Sequence, residues 1–308
     1  MPDGLLRLGR KRARLVFRAR MVQAIRAFFI EKGFLEVDTP YLQPALVPEA
    51  HIQAYGIGDV FLQTSPELCM KRLLSSGYGN IFQISHAFRR DERGDRHLPE
   101  FTLLEWYRIH ADYTDLMTDC EALLRHLIHC LELREAVSCG GQQIDIGGSF
   151  ERLSVADAFD RHAPVSLDAV MKAGRFDDFL VQYIEPHLGL KTPAILYDYP
   201  ASLAALARLK PENRNLAERF ELYVGGVELA NGFSELNDAA EQRARFQDEI
   251  KKMNERGRGS SPMPERFLGA LDHMPEAAGI ALGVDRLAMV LTGAERIDDV
   301  VAFTPESL

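Results

Sequence analysis

Phe220-Glu-Leu-Tyr-Val-Gly-Gly-Val-Glu-Leu-Ala-Asn-Gly-Phe-Ser-Glu-Leu-Asn-Asp238 is the stretch on which the fold turns. Phe220, Leu222 and Val224 alternate with Glu221 and Tyr223, the pattern of a half-buried strand. Gly225-Gly226 suits a two-residue hairpin turn, whose central residues need positive φ. That turn sets the register, pairing Val224 with Val227 and Tyr223 with Glu228. Glu221 and Glu228 then share a face as diagonal neighbours across the two strands. Strict alternation would send Asn231, Phe233 and Glu235 to the opposite face. For all of them to line one pocket the strand must bulge, and Gly232 is the expected place. Asp238-Ala-Ala-Glu241 then reads as a capping box opening a helix through Phe246, Ile250 and Met253.

Two carboxylates held this close repel unless a cation lies between them. Mg2+ carried with ATP fits, since it takes carboxylate and phosphate oxygens together. Upstream, the loop from Phe88 to His97 interleaves Arg89, Arg90, Arg93 and Arg96 with Asp91, Glu92 and Asp95. Guanidinium groups grip phosphate oxygens bidentately, so such a loop can hold a polyphosphate. Downstream, Gly279-Ile-Ala-Leu-Gly-Val-Asp-Arg286 is too poor in glycine for a phosphate loop of the Walker type. Gly283 would admit a planar ligand, and Arg286 sits at the start of an apolar helix. Thr64-Ser-Pro-Glu67 opens a further helix over Leu68 to Leu74, with proline in its first turn.

Around these segments the chain reads as alternating helices and strands. Leu15, Ala19, Val22, Ile25 and Phe29 form an apolar stripe on a helix from Arg14 to Lys32. Strands are expected over Phe34 to Thr39, Ile81 to Phe88, Phe101 to Tyr107 and Ala194 to Tyr199, with a long helix over Asp112 to Leu133. Shorter helices are expected over Ser154 to Arg161 and Asp177 to Tyr183, in a stretch with no chemical motif. Asn254 to Pro264 is rich in Gly, Ser and Pro and reads as a surface loop. The simplest architecture is one α+β domain, an antiparallel sheet flanked by helices.

Composition narrows the function. The chain has 308 residues, is 46% hydrophobic and carries a formal charge of -9, which argues against broad nucleic-acid affinity. No apolar run of about 18 residues is present, and the N-terminus lacks an apolar leader core, so a cytoplasmic protein is expected. Cys69, Cys120, Cys130 and Cys139 have neither disulfide-framework nor zinc spacing. Arg7, Arg10, Lys11, Arg12, Arg14, Arg18 and Arg20 crowd the N-terminus, either as a solvated helix face or as a strip that docks an acidic partner.

Three ordered segments, the helix with Val37-Asp-Thr-Pro40, Arg89 through Tyr107, and Gly279 to Arg286, resemble the three motifs of class II aminoacyl-tRNA synthetases. Glu228 to Asp238 is specific to the lysine branch of that family. Within the branch the chain is most similar to truncated paralogues that acylate elongation factor P. They share Ser65 in place of the alanine typical of lysyl-tRNA synthetases, and the Leu-Glu-Trp-Tyr ending of the second motif. The resemblance implies a single catalytic domain over 1–308, with 1–13 a basic extension, without an anticodon-binding domain, and working as a homodimer.

It also implies roles. Arg89 and Arg286 would grip the ATP phosphates, with Asp91, Glu228, Leu229 and Gly283 completing the ATP site. Glu221 and Glu228 would hold Mg2+. Ser65 and Glu67 would meet the amino-acid head group, Tyr107 and Glu235 the side-chain ammonium, and Asn231 the substrate carboxylate. Two positions depart from the family pattern. Asp91 stands where glutamate is usual, with Glu92 beside it, and Leu98 stands where asparagine is common. The implied reaction activates lysine or β-lysine as an adenylate and passes it to a lysine of elongation factor P, with tRNA not the acceptor. A minimal lysyl-tRNA synthetase and a catalytically silent regulatory paralogue are the rival readings.

Overall fold

A computed structural model describes residues 3–257 and 262–308, with side chains from residue 8 onward. The Arg7 side chain of the basic strip and part of the expected loop from Asn254 to Pro264 therefore lie outside the description. The first described element is α1 (Asp3–Glu31), and from residue 3 the basic N-terminal segment forms its first turns. Its buried side chains are Met21, Ala24, Ile25, Phe28 and Phe29, while Ala19 is exposed. The covered face keeps Ile25, Phe29 and the partly buried Val22 of the expected stripe and is rotated to add Met21, Ala24 and Phe28. The sheet beneath, through Phe82 and Trp106 against Phe29, decides which face is covered.

Next come β1 (Leu35–Glu36) and a small sheet of β2 (Leu42–Gln43), β3 (Gly56–Ile57) and β4 (Val60–Leu62). The expected strand from Phe34 to Thr39 is therefore only two residues long. After α2 (Glu67–Ser75), β5 (Ile81–Phe88) and β6 (Glu100–Ile109) form an antiparallel pair whose connecting loop is the arginine loop. Asp112 caps α3 (Tyr113–Cys130) in a reciprocal capping box with Asp115. A two-stranded ribbon, β7 (Ala136–Cys139) and β8 (Gln142–Asp145), leads to β9 (Glu151–Ser154). The stretch without motifs then supplies α4 (Val155–His162), α5 (Leu167–Lys172), α6 (Phe176–Phe179) and a π-helical turn over Leu180–Ile184. Its core of Leu153, Phe159, Phe176, Ile184 and Leu196 packs one end of the sheet.

The C-terminal half contributes β10 (Ala194–Pro200), β11 (Leu216–Val224), β12 (Val227–Ser234), α7 (Ala239–Glu255), α8 (Glu265–Leu271), β13 (Ala277–Gly283) and α9 (Val284–Leu291). The main sheet runs β1-β5-β6-β13-β12-β11-β10-β9. Only its outermost pairs, β1 with β5 and β9 with β10, are parallel; the six strands between are antiparallel. The α+β architecture is thus the one read from the hydrophobic pattern. One sheet face, carrying Phe82, Leu104, Trp106, Leu222 and Ile280, is sealed by α1, α3 and α9. The other face is partly covered by α2, α7 and α8 and is left polar at its centre.

The β11–β12 hairpin has the expected register at its turn, Val224 opposite Val227 and Tyr223 opposite Glu228, with Gly225 at φ 63° and Gly226 at φ 68°. The bulge is present but displaced. Leu222 pairs with Ala230, so Leu229, not Gly232, is the extra residue. Gly232 pairs regularly with Phe220 and Ile280, whose side chains occupy the space a Cβ there would need. The Asp238 cap forms through Glu241 N, but the Glu241 carboxylate turns to Arg245, leaving half a capping box.

Candidate active site

The bulge at Leu229 rephases β12, so that Glu228, Asn231, Phe233 and Glu235 all point to the polar face of the sheet. Their partners on that face are Tyr223, Glu221, Gly279 and Ala281. β6 adds Leu103, Glu105 and Tyr107 through its register with Gly283, Ala281 and Gly279. Sequence-distant acids, arginines and a tyrosine are thereby set side by side.

Over this face lies a cavity of about 350 Å³ lined by Arg89, Glu92, Glu228, Asn231, Gly283 and Arg286, among others. Arg286 donates to the Glu228 carbonyl at 2.9 Å and carboxylate at 3.1 Å, and its other nitrogens meet Arg96 O at 3.2 Å and His97 Nε2 at 2.6 Å. Arg89 lies over the Phe101 ring at 5.1 Å and reaches only Glu92, at 3.4 Å. Its Nε is buried without a hydrogen-bond partner, a donor directed at something the protein does not supply. Burial and the Arg286 charge hold the His97 imidazole below its ordinary range.

Asp91 is exposed and stands off this cavity, while its neighbour Glu92 lines it beside Arg89. Leu98 is buried in the wall, so an apolar surface replaces an amide donor there. Leu229, the bulged residue, also lines the cavity. A wider hollow of about 510 Å³ lies on the outer side of the arginine loop. Its residues satisfy one another, Arg93 with Glu306 and Asp298, Arg296 with Asp95, so it offers few open donors.

Beside the cavity is a buried acid cage. Glu105 accepts from Ser65 Oγ at 2.6 Å and from Tyr107 OH at 3.0 Å, and the Ser65 hydroxyl accepts from Glu67 N at 3.0 Å. Lys71 Nζ stands 2.5 Å from both Glu67 Oε1 and Glu235 Oε2 and is only 1% exposed. Burial pushes the Glu105 and Glu235 carboxyls up to about 8, with Glu67 adding to both and Lys71 opposing. Three carboxylates around one ammonium leave an excess of negative charge in a dry site, so the cage favours a proton or a second cation.

Gly279 makes room for this cage, since a Cβ on it would overlap both Glu235 Oε1 and Tyr107 Cε1. Gly279→Ala is accordingly expected to raise the KM for the amino-acid substrate at least 10-fold while costing about 1–3 kcal/mol of stability. Substrate-dependence curves and urea melts of the variant check both.

The acidic pair is also present. Glu221 accepts from Arg219 at 2.6 Å and from Tyr223 OH at 2.6 Å, and burial with the Glu228 charge raises its carboxyl. Glu185 is raised as well, by burial and then by the charges of Glu228 and Glu221. Among the described residues no three ligating side chains are set to hold a metal ion by themselves, so Mg2+ here would need phosphate oxygens beside the Glu221 and Glu228 carboxylates. The expected repulsion is met in part by the protein's own cations, Arg219 on Glu221 and Arg286 on Glu228.

Sequence reading missed several participants. Arg219 binds Glu221, Asn231 Oδ1 at 3.1 Å and Leu203 O, and lies 4.4 Å over Tyr199. The strand alternation that found Glu221 and Tyr223 places Arg219 on the same face and could have identified it. Lys71 could have been found as the i+4 partner of Glu67. Arg18, expected in a surface strip, instead reaches Asp285 at 2.8 Å and Thr102 Oγ1 at 2.6 Å, while Asp285 also accepts from Thr102 N. This node ties α1 and β6 to the helix that carries Arg286.

The family described as tRNA synthetases class II (D, K and N) matches residues 5–307. An Elongation factor P--(R)-beta-lysine ligase of Edwardsiella ictaluri (strain 93-146) is 41% identical, covering 95% of this chain and 95% of its own. The protein of that name from Pectobacterium carotovorum subsp. carotovorum (strain PC1) is 42% identical over 96% and 95% of the two chains. The one from Salmonella arizonae (strain ATCC BAA-731 / CDC346-86 / RSK2980) is 40% identical over 94% of each.

Proposed function

Because this chain belongs to the class II tRNA synthetases of the D, K and N group, we propose that it activates lysine or (R)-β-lysine with ATP and joins it to a lysine side chain of elongation factor P. The carrying observation is the junction of an arginine-lined cavity with the buried acid cage on one sheet face.

In the first step the substrate carboxylate attacks the α-phosphorus of ATP, and negative charge builds on the phosphoryl oxygens. Arg89, with its unpartnered Nε, and Arg286, fixed at four points, are placed to stabilise that charge. Glu228 and Glu221 would hold Mg2+ together with the nucleotide, and the ion would supply charge withdrawal from the phosphates. Asn231, oriented by Arg219, meets the substrate carboxylate. The ammonium groups enter the cage of Glu67, Glu105, Glu235 and Tyr107, with Ser65 holding Glu105 in place. A neutral side chain would leave buried carboxylates uncompensated, which is the source of selectivity. Glu92, rather than Asp91, is the acid that faces the nucleotide. In the second step an amine of the acceptor takes the acyl group and AMP leaves.

Lysine- and β-lysine-dependent ATP–pyrophosphate exchange, followed by mass spectrometry of elongation factor P, tests this reading. Exchange with a mass gain on the factor is the expected result. Exchange without it would redirect the acceptor to tRNA, and no exchange would point to a silent paralogue.

The N-terminal strip divides into two sets. Lys11 donates to Val301 O, Arg14 pairs with Asp299 and Arg18 with Asp285, whereas Arg10, Arg12 and Arg20 are exposed. The exposed set is the surface for an acidic acceptor. Reversing Arg10, Arg12 and Arg20 to glutamate is expected to reduce factor modification about 10-fold at low salt with little change in exchange. Reversing Lys11 and Arg14 as well would damage the packing of the C-terminal segment. A second copy of the chain is proposed against the exposed apolar residues Val16, Ile30, Leu35 and Leu42, a homodimer that sedimentation would reveal. No helix among the described residues is long and apolar enough to cross a membrane, in keeping with a cytoplasmic enzyme.

A further inference from the structure

The loop between β2 and β3 brings one more carboxylate into the cavity, that of Glu49. No motif marks it, and no role above uses it. The loop is firmly held: Ala50 N donates to Glu249 of α7 at 3.0 Å, Arg256 Nη1 donates to Ala50 O at 3.1 Å, and Arg90 N donates to Gln53 O at 2.8 Å. Glu49 is therefore fixed against α7 on one side and the arginine loop on the other.

The charged groups facing it are Arg89 from the arginine loop, Glu67 from α2, Glu249 from α7 and Arg219 from β11. None of them closes an ion pair with its side chain, in contrast to Glu221, Glu228, Glu235 and Glu67, each of which has a cation. It lines one cavity with Arg89, the arginine assigned to the phosphate, and its carboxyl feels both that charge and the charge of Glu67, the acid assigned to the amino-acid head group. An adenylate joining those two ends would carry its acyl carbonyl between them, and Glu49 is half-buried, so it stays reachable from outside. Burial raises its carboxyl to about 7, with Arg89 opposing, so at neutral pH it can both take and give a proton.

Resting on the function proposed above, we propose that Glu49 is the general base of the second step, taking a proton from the incoming lysine ammonium of the acceptor. The ammonium gives one proton to the Glu49 carboxylate, and the neutral amine attacks the acyl carbon. The C–N bond forms as the acyl C–O bond to phosphate breaks, its electron pair leaving on AMP. The second amine proton goes to AMP or solvent, and Glu49 returns its own to water.

The test compares two nucleophiles on the preformed adenylate in single-turnover experiments with the intact protein and with Glu49→Gln. One nucleophile is elongation factor P, whose amine is protonated at neutral pH. The other is hydroxylamine, which is largely neutral there. The expected result is a loss on the order of 10²-fold with the protein acceptor and under about 3-fold with hydroxylamine. The variant's remaining transfer should also rise steadily with pH, following the acceptor amine alone. Equal loss with both nucleophiles, or a raised KM for lysine in exchange, would make Glu49 a substrate-binding or structural residue and overturn the proposal. So would no loss with either. If unaltered protein forms hydroxamate yet leaves elongation factor P unmodified, the acceptor assignment fails instead. Nα-acetyl-lysine amide, another protonated amine, then carries the same comparison.

Discussion

Arg286→Ala should lower the rate of ATP–pyrophosphate exchange by on the order of 10²–10³-fold, the usual cost of removing one preorganised donor from a charged transition state. The side chain is locked before any ligand arrives, by the carbonyl and carboxylate of Glu228, by Arg96 O and by His97. No reorganisation is then needed as charge develops, which is why the effect should fall on the rate more than on ATP binding. Arg286→Lys should recover little, because a point charge cannot hold three of those partners and a phosphate together. Pre-steady-state exchange on a variant with an unchanged melting temperature decides it. A loss under 10-fold would show that Arg286 serves only the architecture of the loop.

The second large effect concerns stability. Lys71→Met removes the one ammonium among the described residues that is bonded to the acid cage and should cost about 3–5 kcal/mol, the penalty for leaving buried partners uncompensated. The effect has a defined pH dependence. Glu105 and Glu235 go from an ordinary value of 4.5 to about 8 on folding. The folded protein therefore holds more protons than the unfolded chain between those values, and stability declines as pH rises through that window. The ligand-free protein should melt lower at about pH 8.5 than at about pH 6, and Lys71→Met should magnify the difference. Lysine should flatten it by supplying positive charge. Denaturant titrations at several pH values would show this, and a variant equally stable at both ends would sink the argument.

Local chemistry was legible where it is enforced by short-range geometry. Gly225-Gly226 dictated the hairpin register, and Asp112 and Ser154 marked helix starts where the caps form. Strand alternation alone sends Asn231, Phe233 and Glu235 to the wrong face; the resemblance to the synthetase motifs is what names them, and the bulge at Leu229 brings them to the face of Glu228. Long-range packing was not legible. Arg18 and Asp285 lie 267 residues apart and nothing in either neighbourhood announces the pairing. Glu49 sits in a loop without periodicity, so only the folded chain shows what it faces. The bulge was anticipated in kind but misplaced, because the need for glycine at 232 comes from Phe220 and Ile280 rather than from backbone irregularity. Asp91 and Glu92 differ by one position, and only the course of the loop separates an exposed acid from one at the cavity.

The extra residue at Leu229 works as a half-step in the strand's rhythm. Ahead of it Glu228 meets Arg286; behind it Asn231 and Glu235 serve the amino acid. Both groups face the same way only because the bulge takes one residue out of the alternation. A straight strand with the same residues would set Leu229 opposite Leu222 and turn every later residue of β12 over, sending Ala230 to the cavity face and Asn231 to the apolar one. The kink, more than the side chain at 229, is what gathers nucleotide and amino-acid contacts on one side of the sheet.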